Sequence, residues 1–386
     1  MQRGLHNMPG LRIAAGGGRA VSIAGGLEML IAGCGAIGSF FAALLGVSVR
    51  ATFADVDRVM RENLGVADYT AGDLGREKAA VLAARRRGQG GVGRALVGDL
   101  RYTLRHGLAR ALACAVLCLD NARALRDAAD VLWSAGSGPR LVLVLTCGSE
   151  AQYQIRLFDG LGPCPVCFFG AGERHADRTA EGATCSATSA PRASAAAAEA
   201  AARAGAELLA RWQAGERSLA NCRIQRDAAG AEAYSIRMPA TPSPGCPVPH
   251  SESCEPRELL GAIAEVTVGA LAERAIACAG DDAVFLLGRR AVPLAGIYCP
   301  DCRTTWPAPL RLLPAAQAAR ACACAAPLRP LGERNAVSAR ELLVPAVASL
   351  SLAAWGAGHG DEFTVAGRKG RVRLCCRFDW RDLDEA

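Results

Sequence analysis

Leu27-Glu-Met-Leu-Ile-Ala32-Gly33-Cys-Gly35-Ala-Ile-Gly38-Ser39-Phe-Phe-Ala-Ala-Leu-Leu45 reads as a strand, a loop and a helix in direct succession. The apolar run up to Ala32 has the length of a buried strand, and the apolar stretch from Ser39 to Leu45 continues as a helix. Gly33-x-Gly35-x-x-Gly38 joins them. Glycines at such a junction allow close backbone approach, and a helix N-terminus offers free N–H groups and a positive dipole to an anion. The pattern predicts a phosphate loop. Asp55 follows Gly38 by 17 residues, at the end of a second strand candidate, Val47 to Phe53. A carboxylate there can accept hydrogen bonds from a ribose, which fits NAD and ATP equally.

Further along, Val116 to Leu119 and Leu141 to Thr146 are buried-strand candidates, with helical stretches at Lys78 to Arg87 and Ala122 to Trp133 between strands. This alternation predicts an α/β fold with a parallel sheet. An alanine-rich helix over Ala190 to Trp212 precedes alternating segments, Cys222 to Ile224 and Tyr234 to Met238, that suit antiparallel strands and make the sheet mixed. The prolines between Pro242 and Pro249 end that layer. Residues 1–26 are glycine-rich and read as a flexible arm, residues 27–255 as the nucleotide domain, and residues 256–386 as a C-terminal domain that begins with a helix.

With 51% hydrophobic and 21% charged residues the chain can bury a large core, which excludes wholesale disorder. The longest apolar runs are too short to span a bilayer, and residues 1–21 lack the apolar core of a signal peptide. A cytoplasmic protein is expected. A net charge of +7 without basic clusters interleaved by aromatics gives no reason to expect nucleic acid binding. Lys78 and Lys369 are the only lysines, so a lysine held among so many arginines is a candidate functional cation.

In a reducing compartment, closely spaced cysteines read as metal sites before disulfides. Cys299-Pro-Asp-Cys302 is followed after 19 residues by Cys322-Ala-Cys324, the spacing of a zinc ribbon. Four thiolates leave no open position, so this zinc would be structural. Cys164-Pro-Val-Cys167 has the same tetrahedral spacing and is matched about 80 residues later by Cys246, with His250 and Cys254 nearby. Neither pair lies in the βαβ context of a redox CxxC motif.

The ordered set Asp55-Val-Asp57, Asn63-Leu64, Gly75-Arg-Glu-Lys78 and Asp120-Asn121 resembles the ThiF-type adenylyltransferases, the superfamily of the ubiquitin-activating enzymes, over about residues 27–250. The resemblance implies a Rossmann-like adenylation domain that activates the C-terminal carboxylate of a ubiquitin-like or sulfur-carrier protein with ATP and Mg²⁺. Gly33, Gly35, Gly38, Asp55 and Asp57 would hold the nucleotide. Lys78 would supply a cation to the triphosphate from a solvated helix face, Asp120 would hold Mg²⁺, and Asn63 would orient phosphate oxygens. The family's arginine after Asn-Leu falls at Val66, so Arg58, Arg61, Arg76 or a partner subunit's arm would replace it. The resemblance also implies a zinc site closing the sheet. The family's second cysteine position is Pro249 here, which favours His250 as fourth ligand to Cys164, Cys167 and Cys246. Cys185, in Thr184-Cys-Ser-Ala-Thr-Ser-Ala-Pro191, resembles the transfer cysteine of thioester-forming members.

A homodimer is implied, and the C-terminal domain would dock the carrier or a conjugating enzyme, as in bacterial ubiquitin-like conjugation linked to phage defence. Two other classes compete. A nicotinamide oxidoreductase explains the glycine loop but not Asn63, Lys78 and Asp120 in order. A zinc-ribbon binding module on a weakened nucleotide fold would explain Val66.

Overall fold

The computed structural model describes residues 26–134, 141–148, 152–160, 162–169, 194–229, 231–243, 246, 248, 250, 256–258, 261–287, 290–307, 310–313, 315–318, 322–324 and 328–378. These fall into two compact units, residues 1–103 with 109–251 and residues 104–108 with 252–386.

The first unit starts with β1 (Glu28–Ala32), α1 (Ala36–Ala43), β2 (Arg50–Asp55), α2 (Lys78–Gly88) and β3 (Val92–Val97). Short helices α3 (Leu100–Thr103) and α4 (His106–Ala111) lead to β4 (Cys114–Leu117), α5 (Ala122–Ser134), β5 (Val142–Cys147) and β6 (Gln152–Phe158). Then follow α6 (Ala195–Gln213), β7 (Cys222–Asp227) and β8 (Glu232–Arg237). The strands form one sheet in the order β3-β2-β1-β4-β5-β6-β7-β8. The strands from β3 to β5 are parallel, and β6, β7 and β8 are each antiparallel to the strand before them. The mixed α/β fold is therefore present in the topology itself.

β1 carries Met29 to Ala32 with no exposed surface, as a central parallel strand flanked on both faces must. β3 lacks a clean apolar run because Gly93 lies where a Cβ would stand 2.5 Å from the Ala83 carbonyl oxygen of α2, and Arg94 is buried against Glu28 at 3.1 Å. On the other flank, the alanines of α6 let it settle closely on α1 and the sheet. A Cβ on Gly205 would stand 2.9 Å from Leu145. Ser194 caps this helix by accepting from the Ala197 N–H at 3.1 Å, satisfying one of its free donors.

The second unit opens with a short strand, β9 (Pro256–Glu258), and its first helix, α7 (Val268–Ala279), comes ten residues later, which corrects the expected helical start. It continues with β10 (Val284–Leu286), β11 (Val292–Tyr298), β12 (Thr305–Pro307), α8 (Ala315–Ala318), β13 (Arg329–Arg334) and β14 (Ala336–Ser338). After α9 (Ala339–Leu342), α10 (Pro345–Ala348) and α11 (Leu352–Trp355) it closes with β15 (Glu362–Gly367) and β16 (Gly370–Cys375). One sheet runs β14-β10-β15-β16-β9 and the other β12-β11-β13. Its core is built on Phe285, Trp355 and Phe363, with Trp355 and Phe363 ring centroids 5.5 Å apart. Beside it, Asp361 is fully buried and accepts from Arg290 at 2.6 Å, Arg105 at 2.8 Å and the Gly358 N–H at 2.8 Å.

Candidate nucleotide site and metal centres

The direction in which strands are added to the sheet reverses between β1 and β4, which are themselves parallel: β2 and β3 follow on one side of β1, β4 and β5 on the other. In an open α/β sheet the loops leaving such neighbours part and leave a crevice at the carboxyl ends of the strands. Gly33 to Gly38 leaves β1 there, and Cys118 to Asn121 leaves β4. The two loops meet: a Cβ on Gly33, whose φ is +88°, would strike the Cys118 carbonyl. A Cβ on Gly38 would strike the carbonyl oxygen of Gly33. These two glycines are demanded by packing. Gly35 is different, because a Cβ there would meet nothing within 4 Å. It stands at the N-cap of α1 without a side-chain cap, so the first-turn N–H groups lie beside an open space that a Cβ would fill.

Asp55 ends β2 with both carboxylate oxygens engaged by backbone, Oδ2 by the Cys34 N–H at 2.6 Å and Oδ1 by the Asp57 N–H at 2.8 Å. Burial pushes its carboxyl above the usual range. Its first duty in the structure is to tie the glycine loop to the end of β2. Each oxygen keeps a second lone pair for a ribose hydroxyl.

Residues 57–59 pair back on 75–78, through Val59 N–H to Arg76 O at 2.8 Å and Lys78 N–H to Asp57 O at 3.0 Å. This brings the Lys78 ammonium to the Asp57 carboxylate at 3.0 Å. Lys78 is only 7% exposed, whereas Asp57 is exposed. The expectation of a solvated helix face is thus corrected. Lys78 is the first residue of α2, buried there, with its ammonium paired to an exposed partner and close enough to Asp55 to act on its carboxyl.

Asn63 ends a 3-10 turn, Arg61–Asn63, and its Oδ1 accepts from the Met60 N–H at 2.8 Å. Its amide nitrogen has no acceptor among the described residues and is available to an anion. Of the three arginines considered as replacements at Val66, Arg58 pairs with Glu77 at 3.0 Å and Arg76 with Asp73 at 3.6 Å. Arg61 is exposed and has no ion pair among the described residues. Asp120 is exposed in the loop after β4. The cap of α5 is Asn121, whose Oδ1 accepts from the Ala124 N–H at 2.7 Å, so Asp120 is not held as a helix cap.

Two residues that the sequence did not single out, Tyr69 and Arg85, fix this arrangement. The Tyr69 hydroxyl donates to the Cys34 carbonyl at 2.6 Å, clamping the glycine loop. Arg85 of α2 pairs with Asp73 at 2.6 Å and lies 5.6 Å from the Tyr69 ring centroid. The signal was the spacing of Tyr69, Asp73 and Arg85 around a loop, which no helix or strand period reveals. Burial raises the thiols of Cys34, Cys118 and Cys147 at the same edge, Cys147 to about 12, so all three are protonated at neutral pH. Cys185 and Cys254 lie outside the described residues.

Cys164, Cys167, Cys246 and His250 bring their ligand atoms within 4.8 Å of one another. Edges of 3.6 Å for Cys164 to Cys246, 3.9 Å for Cys164 to Cys167, and 3.3 Å for Cys167 to His250 Nε2 outline a tetrahedron. A tetrahedral zinc with thiolates at about 2.3 Å has sulfur edges of about 3.8 Å, so the set fits. His250 Nδ1 lies 3.1 Å from the Gly162 carbonyl oxygen, the outer bond that fixes a ligating imidazole.

Cys299, Cys302, Cys322 and Cys324 form the second set, with Cys299 to Cys324 at 3.3 Å and Cys302 to Cys322 at 3.5 Å. Cys299 to Cys302 forms the turn between β11 and β12. There the Cys302 N–H donates to the Cys299 sulfur at 3.4 Å, and Arg303 takes φ +58°.

No protein-family model and no curated protein sequence matches the chain. Among solved structures it is similar to MccB of E. coli. The MccB structure with succinimide shares 16% identity over 57% of this chain and 66% of that one, with a TM-score of 0.43. MccB alone gives 16% identity, a TM-score of 0.44, and coverage of 61% and 68%. MccB with AMPCPP and selenomethionyl MccA gives 16%, 0.43, 57% and 66%. This chain therefore spans just under two thirds of the length of MccB in the first of these comparisons.

Proposed function

We propose that this chain is an ATP-dependent ThiF-type adenylyltransferase acting on the C-terminal carboxylate of a ubiquitin-like or sulfur-carrier protein. The observation that carries the reading is Lys78: a covered stem delivering its ammonium to an exposed, exchangeable aspartate at the carboxyl edge that also bears the open Gly35 loop and Asp120. A carrier carboxylate is already ionised. One of its oxygens bonds to the α-phosphorus of ATP, and the bond to the bridging oxygen of the β-phosphate breaks. Pyrophosphate departs with that electron pair, and no base is needed. Catalysis then consists of alignment and charge stabilisation.

In this reading the N–H groups around Gly35 and the ammonium of Lys78 hold the phosphates, Asn63 orients their oxygens, and Asp55 holds the ribose. Mg²⁺ would supply further charge neutralisation, held by Asp120. Arg61 or a partner subunit's Arg3 or Arg12 takes the place of the arginine missing at Val66, within a homodimer. The acyl group passes to the Cys185 thiolate, which bonds to the acyl carbon as AMP leaves. Both cysteine sets hold structural zinc, and the three-stranded sheet β12-β11-β13 with its four cysteines serves as a zinc ribbon that docks the carrier or a conjugating enzyme. A cytoplasmic location accords with so many free thiols. Among the described residues no helix is long and apolar enough to cross a membrane.

ATP–pyrophosphate exchange measured with a panel of candidate carriers tests the reading. Carrier-dependent exchange lost in a carrier lacking its C-terminal residue supports it. NADH binding by fluorescence with no exchange for any carrier would overturn it.

A further inference from the structure

The Tyr69 hydroxyl fixes more than the place of the glycine loop. A peptide unit is planar and trans, so its carbonyl and its N–H point in opposite directions. Tyr69, itself buried, holds the Cys34 carbonyl oxygen at 2.6 Å. The N–H of that same peptide unit belongs to Gly35, and it therefore points away from Tyr69. Gly35 is half-buried, a Cβ there would meet nothing within 4 Å, and its N–H has no acceptor among the described residues. The residues just before it are pinned as well. The Gly33 N–H donates to the Ala54 carbonyl at 2.9 Å, and the Cys34 N–H donates to Asp55 Oδ2 at 2.6 Å. Rotating the Cys34–Gly35 peptide would leave a buried hydroxyl and a buried carbonyl both unpaired, which opposes it.

Tyr69 lies on a short strap that touches each element of the nucleotide site. On one side the Ala67 N–H donates to the Asn63 carbonyl at 3.1 Å. In the middle the Asp68 N–H donates to Ser39 Oγ at 2.9 Å, and that hydroxyl donates to the Ala36 carbonyl at 2.9 Å, in the first turn of α1. On the other side Arg85, in the helix that begins at Lys78, pairs with Asp68 at 3.2 Å and Asp73 at 2.6 Å and lies 5.6 Å from the Tyr69 ring centroid. Burial raises the phenol far above its usual range, so the hydroxyl stays protonated and remains a donor at any working pH.

We infer that Tyr69 is a positioning residue for phosphate binding: its hydroxyl holds the Gly35 N–H to the open side of the glycine loop, and its strap ties that donor to Asn63 and to the helix that carries Lys78. This role rests on the nucleotide reading and adds the residue that orients one of its phosphate donors. Tyr69 itself touches no phosphate. Its loss would free the peptide to turn, and the Gly35 N–H would no longer be held ready for an anion.

Calorimetric titration of the full chain with ATP, inorganic triphosphate and adenosine in magnesium buffer tests it, comparing the parent with Tyr69→Phe. The variant removes one oxygen and keeps the ring under Arg85. It should weaken ATP and triphosphate by a similar factor, about tenfold, the usual loss for one hydrogen bond to a charged group. Adenosine, which carries no phosphate, should bind both proteins alike. The melting temperature should fall by only a few degrees, because a single buried carbonyl loses its donor. Ser194→Ala removes the cap of α6 and serves as a control of comparable stability loss. It should bind ATP as the parent does. ATP affinity unchanged in Tyr69→Phe would overturn the role of Tyr69 and leave the nucleotide reading standing. Equal weakening of ATP and adenosine, or equal weakening of ATP in Ser194→Ala, would also overturn it, since either marks a general loss of structure. A parent that binds neither ATP nor triphosphate would overturn the nucleotide reading and this role together.

Discussion

Lys78 shows how a single side chain can be legible in kind and illegible in setting. Its retention among arginines marks it in the sequence, but its burial and its Asp57 partner do not show there, because residues 57–59 reach 75–78 through a pairing with no periodic signature. Because the stem is packed, Lys78→Met is the cleaner variant. It should keep the melting temperature near that of the parent and lower carrier-dependent exchange about 10²-fold to 10³-fold, the usual loss for one preorganised charge contact. Exchange within a few-fold of the parent would return Lys78 to a structural partner of Asp57.

Asp361 makes a residue-scale prediction in the second unit. Burial alone would raise its carboxyl, yet Arg290 and Arg105 outweigh that and hold it below the usual carboxylate range. A depressed folded value stabilises the unit above the unfolded value of about 4 and loses that stability as pH falls through the folded one. Acid unfolding of the parent should begin below about pH 4. Asp361→Ala should destabilise by about 3–5 kcal/mol near neutral pH, because two arginines are left facing each other in the interior. Denaturant midpoints at pH 7 for both proteins, and a pH series from about 5 down to about 2 for the parent, measure both.

At the scale of elements, the glycine loop separates packing from binding. Gly38→Ala places a methyl against the Gly33 carbonyl, so it should cost about 1–3 kcal/mol of stability in overpacking. Gly35→Ala meets nothing and should leave the melting temperature unchanged, but its methyl occupies the space beside the first turn of α1 and should weaken ATP binding. Equal behaviour of the two variants in thermal unfolding and ATP titration would contradict this division. The β11–β12 turn makes a similar claim. Structural zinc can contribute on the order of 10 kcal/mol to a small module. Cys302→Ser should therefore unfold the second unit while the first unit keeps a cooperative transition by calorimetry.

For the whole molecule, the two ligand sets sit in different units, so elemental analysis should find two zinc ions per chain, and one after Cys302→Ser. The Cys185 proposal belongs at this scale too. Cys185→Ala should leave pyrophosphate exchange intact and abolish a carrier adduct that reducing agent cleaves. An adduct that persists would assign the acyl group to another cysteine.

What the sequence by itself determined was whatever depends on neighbours along the chain. Glycines at fixed spacing between an apolar run and a helix defined the loop, cysteines two or three apart defined knuckles, and the switch to alternating residues after Trp212 announced antiparallel strands. Tertiary structure decided everything that depends on separation in space. Only the sheet order brings the loop that carries Asp120 against the glycine loop, only backbone pairing across residues 57–78 brings Lys78 to Asp57, and only the register of β6 against β7 sets Arg156 opposite Arg223. The physical reason is that local propensity acts over a few bonds, whereas burial and charge at a site are set by segments brought together when the core closes.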